Sequence, residues 1–528
     1  MKRFSRSMLC FLIVLSVLCS MASLTVLGAN THNNPADTAF SANNTAVPNP
    51  YYECSFPNSD GHLWGLSSNN SLTAVREGFS GNASLTVTAK SADGNTLSDT
   101  QKVGNGATVT VFAGGQNTSY QVYYLGDINN DGKIDLVDLL LLKMHVLKIK
   151  ITTGDSAVAA DVNQSGKIDC VDFVTMKKHV LKINSIKQQY IPSDVTFISA
   201  TYPMATAMQS MKINGRCVPV GTGMSFDWSS AGFEANLFTE GTVTASIVTA
   251  GSGTMAVIID GNQNNLKKIP LVWGSNTVTL AQGLSKGWHS IKVYKRTEAS
   301  MLPATWNSIT FAGKFASKPV SKPLKIEVYG DSISCGAWNE AVNGQTSGLV
   351  YQEYEDPARS YGAFAAKAIC ADYSIVSVSG WGLTVSYDNK TTNNVPRIFQ
   401  NADWSGSKQW DFAKNQMDAV IVNIGGNDAS ASTNRPTSEV FEAKYLEFIT
   451  ALRSKYPNAY LFCVDGMVGP KPYNQNVKNV VAAMADAKIS YVQLPANMDG
   501  GGAHPSIPGH QAAADVLAAA MKQAMNLQ

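Results

Sequence analysis

The sequence predicts a multidomain chain that ends in a parallel β-sheet covered by helices on both faces, preceded by two all-β modules and a duplicated helical one. Three observations predict it. After residue 323, short apolar runs alternate with helical stretches, the rhythm of a sheet packed on both sides. An Asp/Asn-rich loop followed by a helix occurs twice between residues 126 and 184. Short alternating runs separated by Gly/Asn/Asp turns fill residues 62–125 and 200–322.

At 528 residues the chain has room for several domains of about 100 to 200 residues each. With 41 Lys+Arg against 39 Asp+Glu it is nearly neutral, and nothing in that balance points to nucleic acid or another strongly charged partner. Lys2, Arg3 and Arg6 precede the apolar run Met8 to Val17, and small residues follow up to Ala29. This is the pattern of a secretory signal over residues 1–29. Cys19 follows Leu18, which is larger than the residue lipoprotein processing prefers, so a cleaved leader is expected rather than a lipid anchor. No later segment is long and apolar enough to span a bilayer. The Asn/Thr/Ser/Pro-rich stretch 30–61 reads as a linker. The six later cysteines, Cys54, Cys170, Cys217, Cys335, Cys370 and Cys463, show no repeated spacing and are expected as isolated thiols.

In the 62–125 module, Ala83 to Ala89 and Ala107 to Phe112 alternate as strands, and no constellation there suggests chemistry. The duplicated loop is more informative. Asp127-Ile-Asn129-Asn-Asp131-Gly132-Lys133-Ile-Asp135-Leu-Val-Asp138 recurs as Asp161-Val-Asn163-Gln-Ser165-Gly166-Lys167-Ile-Asp169-Cys-Val-Asp172, an offset of 34 residues (161 minus 127). Oxygen donors at loop positions 1, 3, 5, 9 and 12, with glycine at 6, suit two Ca²⁺ ions, and Lys133 and Lys167 would offer only their backbone carbonyls. Each loop runs into a helix ending His-Val-Leu-Lys-Ile. A polar linker is expected over 185–199. Beyond it, Thr242 to Val248 and Trp288 to Tyr294 alternate as strands of a sandwich or jelly roll. In the region 323–528, helices are expected at Ser360 to Ile369, Thr437 to Tyr456 and Pro508 to Asn526, with strands at Ala459 to Val464 and Lys488 to Leu494.

The chemistry centres on Lys325-Ile-Glu-Val-Tyr-Gly-Asp-Ser-Ile-Ser-Cys-Gly336, where a buried strand, Ile326 to Tyr329, ends at a turn that presents Ser332. Two further β-rich runs end at Gly380-Trp381-Gly382 and at Gly425-Gly426-Asn427-Asp428, and Gly500-Gly-Gly-Ala-His504-Pro precedes the last helix. A serine hydroxyl needs a base to act as a nucleophile, and His504 is the candidate. Alone, each of these segments also reads as a polar turn or a helix cap.

The four blocks, in this order, resemble those of the SGNH (GDSL-like) hydrolases, which are esterases and deacetylases built as α/β/α sandwiches. The resemblance implies an oxyanion hole from the backbone N–H groups of Ser332 and Gly380 and the Asn427 amide. The superfamily carries an aspartate three residues before its histidine, and here that position is Gly501. Either Asp499 reaches the imidazole as a third member, or a backbone carbonyl orients it and the site is a Ser-His dyad. His510 is expected to satisfy a helix end instead of competing as base.

The duplicated module resembles a type I dockerin, which implies two structural calcium ions, a cohesin domain of a cellulosome scaffold as partner, and an extracellular setting. Loop positions 10 and 11, Leu136-Val137 and Cys170-Val171, depart from the usual partner-reading residues, and their similarity allows two binding orientations. The segments Phe226-Asp-Trp-Ser-Ser-Ala-Gly-Phe233 and Lys295-Arg-Thr-Glu298, placed before an SGNH domain, look like the N-terminal jelly roll of carbohydrate esterase family 2. That resemblance covers roughly residues 200–528 and implies removal of O-acetyl groups from xylan or glucomannan, with no cofactor for catalysis. Trp381 is the candidate sugar platform, with Trp404 and Trp410 behind it. Two other readings stay open: a glycan-binding protein without useful turnover, which Gly501 keeps alive, and a lipid or aryl esterase, which the dockerin and the jelly roll disfavour.

Overall fold

The computed structural model describes residues 51–81, 84–192, 194–342, 350–468 and 472–527. The expected signal peptide, 1–29, and residues 30–50 of the expected linker lie outside them.

Five strands organise the C-terminal domain: Leu324–Gly330, Ala371–Ser377, Ala419–Asn423, Tyr460–Asp465 and Ile489–Gln493. All pair in parallel, with the second strand outside the first and the rest following in chain order. The order therefore reverses beside Leu324–Gly330, and the crevice beyond the strand ends at such a point is where open α/β sheets bind ligands. Ala419–Asn423 and Tyr460–Asp465 read as near-continuous apolar runs because both faces are covered, whereas Leu324–Gly330 carries Glu327 inside it. Ile326, Val328, Ile421 and Phe462 pack with helices Tyr361–Ala368 and Ile507–Met525. Val420, Val422 and Leu461 face helices Ser438–Lys455 and Asn474–Met484. Thr437 caps Ser438–Lys455 through Val440 N–H, and Ser506 caps the last helix through Gly509 N–H, with Pro508 in its first turn. The helix Asn474–Met484 escapes sequence reading because its buried face sets the polar Asn476 beside Val477 and Val480, so few apolar positions mark it.

Before this domain, nine antiparallel strands form one β-sheet body, dominated by Gly232–Thr249, Gly274–Lys295 and Ala304–Phe315. Its core is continuous with that of the α/β domain: Phe226, Trp228, Phe233 and Trp306 belong to the same buried cluster as Tyr329, Phe399 and Phe448. The two regions are one folding unit by this criterion.

The amino-terminal module starts earlier than expected. Residues 51–61 are not linker: Tyr52–Cys54 pairs with Phe79–Gly81, and Asn58–Ser59 opens a five-stranded sheet. Tyr52, packed edge-on against Phe79, anchors a segment whose average composition hides it. The module also carries one short helix, Leu72–Arg76. Helices Leu136–Val146, Asp155–Ala160 and Cys170–Val180 follow. Part of the expected 185–199 linker is packed as well. Ile186 is buried, the Gln188 amide exchanges two hydrogen bonds with the backbone of Leu125, and Tyr190 lies among Trp64, Tyr123 and Phe238. Its polar residues find backbone partners across the junction, which composition cannot reveal. Among the described residues no helix is long and apolar enough to cross a membrane, and the six cysteines from Cys54 onward are free thiols.

Candidate active site

Ser332 opens the short helix Ser332–Cys335, whose N-cap Asp331 accepts the Ile333 N–H. His504 arrives from the loop after the last strand, and its Nε2 lies 2.9 Å from Ser332 Oγ. Its Nδ1 lies 3.0 Å from the carbonyl oxygen of Gly502. Gly502 adopts φ +57°, a left-handed conformation that suits glycine, and this turns its carbonyl back to the ring. Asp499 is exposed, and its carboxylate accepts from the Asn497 amide at 2.6 Å. The ring thus faces a backbone carbonyl, and Asp499 is engaged elsewhere. Gly501, at the superfamily's aspartate position, donates its N–H to the Trp338 carbonyl at 3.1 Å. Trp338 and Ala503 are both non-glycines in left-handed geometry (φ +54° and +56°), local strain concentrated around the His504 loop.

Among the described residues the N–H groups of Ser332 and Gly380 donate to no protein acceptor, and both sit at the carboxyl ends of adjacent strands. Gly380 has φ +80°, and a Cβ there would come within 2.5 Å of the Tyr387 ring. The need for glycine therefore comes from a neighbouring aromatic as well as from access. Asn427 does not cap its helix, because Gly425 is the N-cap residue. Its amide donates to the Trp381 carbonyl at 3.0 Å and to Asp331 at 3.2 Å, which holds it at the same mouth.

Several supports escape sequence reading. Asp428 is fully buried and accepts the N–H groups of Leu383, Thr384 and Val385 and the Thr384 hydroxyl, so it fixes the loop after Gly380. Only its adjacency to Asn427 marked it in the sequence. Tyr387, 61 % exposed and set against Gly380, is the open aromatic beside the oxyanion position. The Trp381 ring packs on Trp404, and Trp410 lies over the Arg216 guanidinium.

The motif Lys295 to Glu298 spans the interface between the two regions. Arg296 pairs with Glu340 and Asp356, the buried Lys295 ammonium donates to the Leu302 carbonyl, and Glu298 accepts the Ser379 N–H at 2.5 Å, one residue before Gly380. Burial pushes the Glu298 carboxyl up and that of Glu355 beside it well up, while burial pulls Lys295 down to about 8. Glu298→Ala is expected to lower kcat about tenfold or more with KM nearly unchanged, because it releases the backbone that aims Gly380. Glu298→Gln keeps an acceptor of the same shape and is expected to recover most of that loss in steady-state assays.

His510 is fully buried, accepts the Tyr361 N–H at 3.1 Å and stacks on the Tyr361 ring. It satisfies the start of helix Tyr361–Ala368 instead of an end of its own helix. Burial, then the nearby His504, pushes it down to about 3. The unfolded chain takes this proton near 6.5 and the folded one does not, so the contribution is complete above pH 6.5 and is lost as pH falls toward 3. Unfolding free energies from urea titrations between pH 7.5 and 4.5 are expected to fall by up to about 1.4 kcal/mol per pH unit from this group, and His510→Gln is expected to flatten the slope.

In the helical module the two loops are built alike. Asp131 N–H and Ser165 N–H donate to Asp127 and Asp161, and Asp138 and Asp172 accept the N–H of Asp135 and Asp169 at 2.9 Å each. Asn130 and Gln164 are left-handed, as are Gly132 and Gly166 at loop position 6. Burial, with neighbouring carboxylates adding, pushes Asp127 up to about 7 and Asp172 up to about 6. Converging oxygens that repel one another in this way fit a hard dication. Asp127, Asn129, Asp131, Asp135 and Asp138, and Asp161, Asn163, Ser165, Asp169 and Asp172, would hold it, with the carbonyls of Lys133 and Lys167.

A parallel α/β sandwich with a serine and a histidine converging at the strand ends, and with the N–H groups of Ser332 and Gly380 lacking an acceptor among the described residues, is the arrangement expected of the GDSL-like hydrolase class. The GDSL-like Lipase/Acylhydrolase family model matches residues 328–512, the Carbohydrate esterase 2 N-terminal model residues 213–319, and the Dockerin type I domain model residues 125–181. The chain therefore carries a dockerin type I domain, a carbohydrate esterase 2 N-terminal domain and a GDSL-like domain in that order. It is 32% identical over 313 residues to the cellulase/esterase CelE of Acetivibrio thermocellus, covering 56% of this chain and 37% of that protein. An acetylxylan esterase / glucomannan deacetylase of Cellvibrio japonicus is 27% identical over 353 residues, 63% of this chain and 93% of that one. The solved family two carbohydrate esterase from Clostridium thermocellum, in complex with cellohexaose, superposes with a TM-score of 0.56 at 28% identity, covering 60% of this chain and 100% of that one. The chain spans just over a third of the length of CelE.

Proposed function

We propose that this protein is a secreted, cellulosome-associated esterase that removes O-acetyl groups from plant cell-wall polysaccharide through an acyl-enzyme on Ser332. The observation that carries the reading is the 2.9 Å contact between Ser332 Oγ and His504 Nε2 beside two unengaged N–H groups. His504 takes the Ser332 proton as the oxygen attacks the acetyl carbonyl. The N–H groups of Ser332 and Gly380 meet the oxyanion, and Asn427 joins them by turning from the Trp381 carbonyl. Collapse breaks the bond to the sugar oxygen, which takes the proton from His504 and leaves as a hydroxyl, and water activated by His504 then releases acetate. Tyr387 and Trp381 offer the sugar a surface beside Gly380. On this reading the dockerin type I domain takes a cohesin domain as partner and calcium, one ion per loop, as structural ligand; the family match over residues 125–181 and the duplicated loops support it. Its exposed apolar residues, Leu136, Val137 and Leu140 on one helix and Val171 and Val174 on the other, support that role.

Acetate release from acetylated xylan and acetylated glucomannan, measured beside a long-chain ester, tests the reading. Release from either polymer well above the long-chain ester is expected. Preference for the long-chain ester would replace it with a lipid esterase. Glycan binding without acetate release would favour the second reading, binding without turnover, for which the cellohexaose complex of the Clostridium thermocellum relative speaks.

A further inference from the structure

The two loops of the helical module are near copies in their internal bonds, but their surroundings are not alike. The amino-terminal β module inserts a turn into the first. The Asn105 N–H donates to Asp127 Oδ2 at 2.9 Å, and the Asn105 amide donates to Asn130 Oδ1 at 3.2 Å and to the Asp155 carbonyl at 2.8 Å. Its Oδ1 accepts the Tyr124 N–H at 3.1 Å, so the backbone N–H and both side-chain polar atoms of Asn105 are used. From the other side, Asn70 Nδ2 donates to the Gly132 carbonyl at 2.9 Å and to the Val103 carbonyl at 2.8 Å. Both asparagines are fully buried. The fit leaves no room: a Cβ on Gly104 would stand 2.6 Å from the Asn130 carbonyl oxygen and 2.8 Å from Asp127 Oδ2, and one on Gly132 would stand 2.5 Å from Lys102 Cβ. Around the second loop, the bond from outside the repeat among the described residues is Gln164 Nε2 to the Gln189 carbonyl, at 2.8 Å.

We infer that the amino-terminal β module is a structural part of the first calcium site, with Asn70 and Asn105 as positioning residues, and that the two calcium sites of this chain are unequal. The inference rests on the calcium reading of the loops. Asp127, the residue at loop position 1, has its carboxylate fixed by donors from two modules, the Gly132 and Asn105 N–H groups. Its second-loop counterpart Asp161 has the equivalent Gly166 N–H and, among the described residues, no donor from the β module. Opening the first loop would strip buried amides of their partners, which is costly. Opening the second breaks, among the described residues, the bond of the Gln164 amide to the Gln189 carbonyl from outside the repeat. Preorganisation of this kind tightens binding chiefly by slowing release. In the other direction, calcium in the first loop secures the β module against the helical one.

The full chain, loaded with calcium and mixed rapidly with an excess of a fluorescent chelator, provides the test. Two release phases are expected, separated by about tenfold or more. Asp172→Ala, in the second loop, should remove the fast one and so assign it. Asn105→Ala should speed the slow phase by about tenfold and leave the fast phase unchanged, with Asn70→Ala acting in the same direction. Since such a variant can lose its fold, hydrogen exchange on the wild type gives an independent reading: calcium should protect the amides of residues 103–106. Equal release rates, a slow phase indifferent to Asn105→Ala, or no calcium-dependent protection at 103–106 overturns the inference while leaving calcium binding intact. If no calcium is released at all, the calcium reading falls and takes the inference with it.

Discussion

Ser332→Ala and His504→Ala are each expected to lower kcat for acetate release by about 10⁴-fold or more, while Asp499→Ala changes it by less than about threefold. In a hydrolytic triad the acid that orients the histidine is worth about 10⁴-fold, so the three variants separate a dyad from a triad by a wide margin. The expectation for Asp499 follows from its contacts, since its carboxylate is taken by Asn497 and the Nδ1 side of the ring by Gly502 O. Asn497 also accepts from Ser506, which starts the last helix. Asp499→Asn therefore serves as a control that disturbs the loop less. A carbonyl dipole fixes the tautomer with Nδ1 protonated, as a carboxylate would, but brings less charge to the imidazolium. A loss near 10⁴ in Asp499→Ala would show that the carboxylate swings to the ring when substrate binds, and would restore the triad.

What the sequence discloses and what it hides have a common physical cause. Ser332, Gly380 and Asn427 were legible because strands covered on both faces are rich in apolar residues, as Ala419–Asn423 is throughout, and reactive groups follow their carboxyl ends. The repeat 127–138 and 161–172 was legible because ligand positions are set by loop geometry over twelve residues. The partner of His504 was not, because it depends on the φ of one glycine in a Gly-rich loop. Asn70 and Asn105 read as ordinary turn residues, since nothing local signals that a second module will pack on them. Glu298 stood in a motif that marked the jelly roll, but its bond to Ser379 spans 81 residues and exists only after two regions join.

The same kind of long-range contact sets the second large effect. Arg216→Ala is expected to destabilise the joined jelly-roll and α/β unit by about 3–5 kcal/mol. Arg216 is fully buried between the two regions and forms two parallel bonds of 2.8 Å to Glu327, on the strand that leads to Ser332. It also donates to the carbonyls of Phe399 and Asn401 at 2.7 Å, and its guanidinium lies over Tyr329, Trp410 and Phe412. Burial pushes the Glu327 carboxyl up, but the Arg216 charge outweighs it and holds the group below its ordinary 4.5, with Tyr329 and Tyr456 adding donors. Truncating the arginine leaves a buried carboxylate with only hydroxyl donors, which is the costly arrangement. The pH dependence distinguishes this from lost packing. In the wild type, the Glu327 contribution is present above its unfolded pKa and is lost as pH falls through its lowered folded one. In Arg216→Ala, burial, the largest influence on the group, is opposed by the two hydroxyl donors alone and is expected to raise the folded value above 4.5, so the folded state holds the extra proton and the penalty grows as pH rises through that window. Urea unfolding between pH 4 and 8 should therefore show Arg216→Ala least impaired at the acid end. The double variant Arg216→Met with Glu327→Leu, which removes both charges, should be more stable than Arg216→Ala, since the cost lies in the unpaired charge. A pH-independent deficit that the double variant fails to relieve would assign the loss to packing alone.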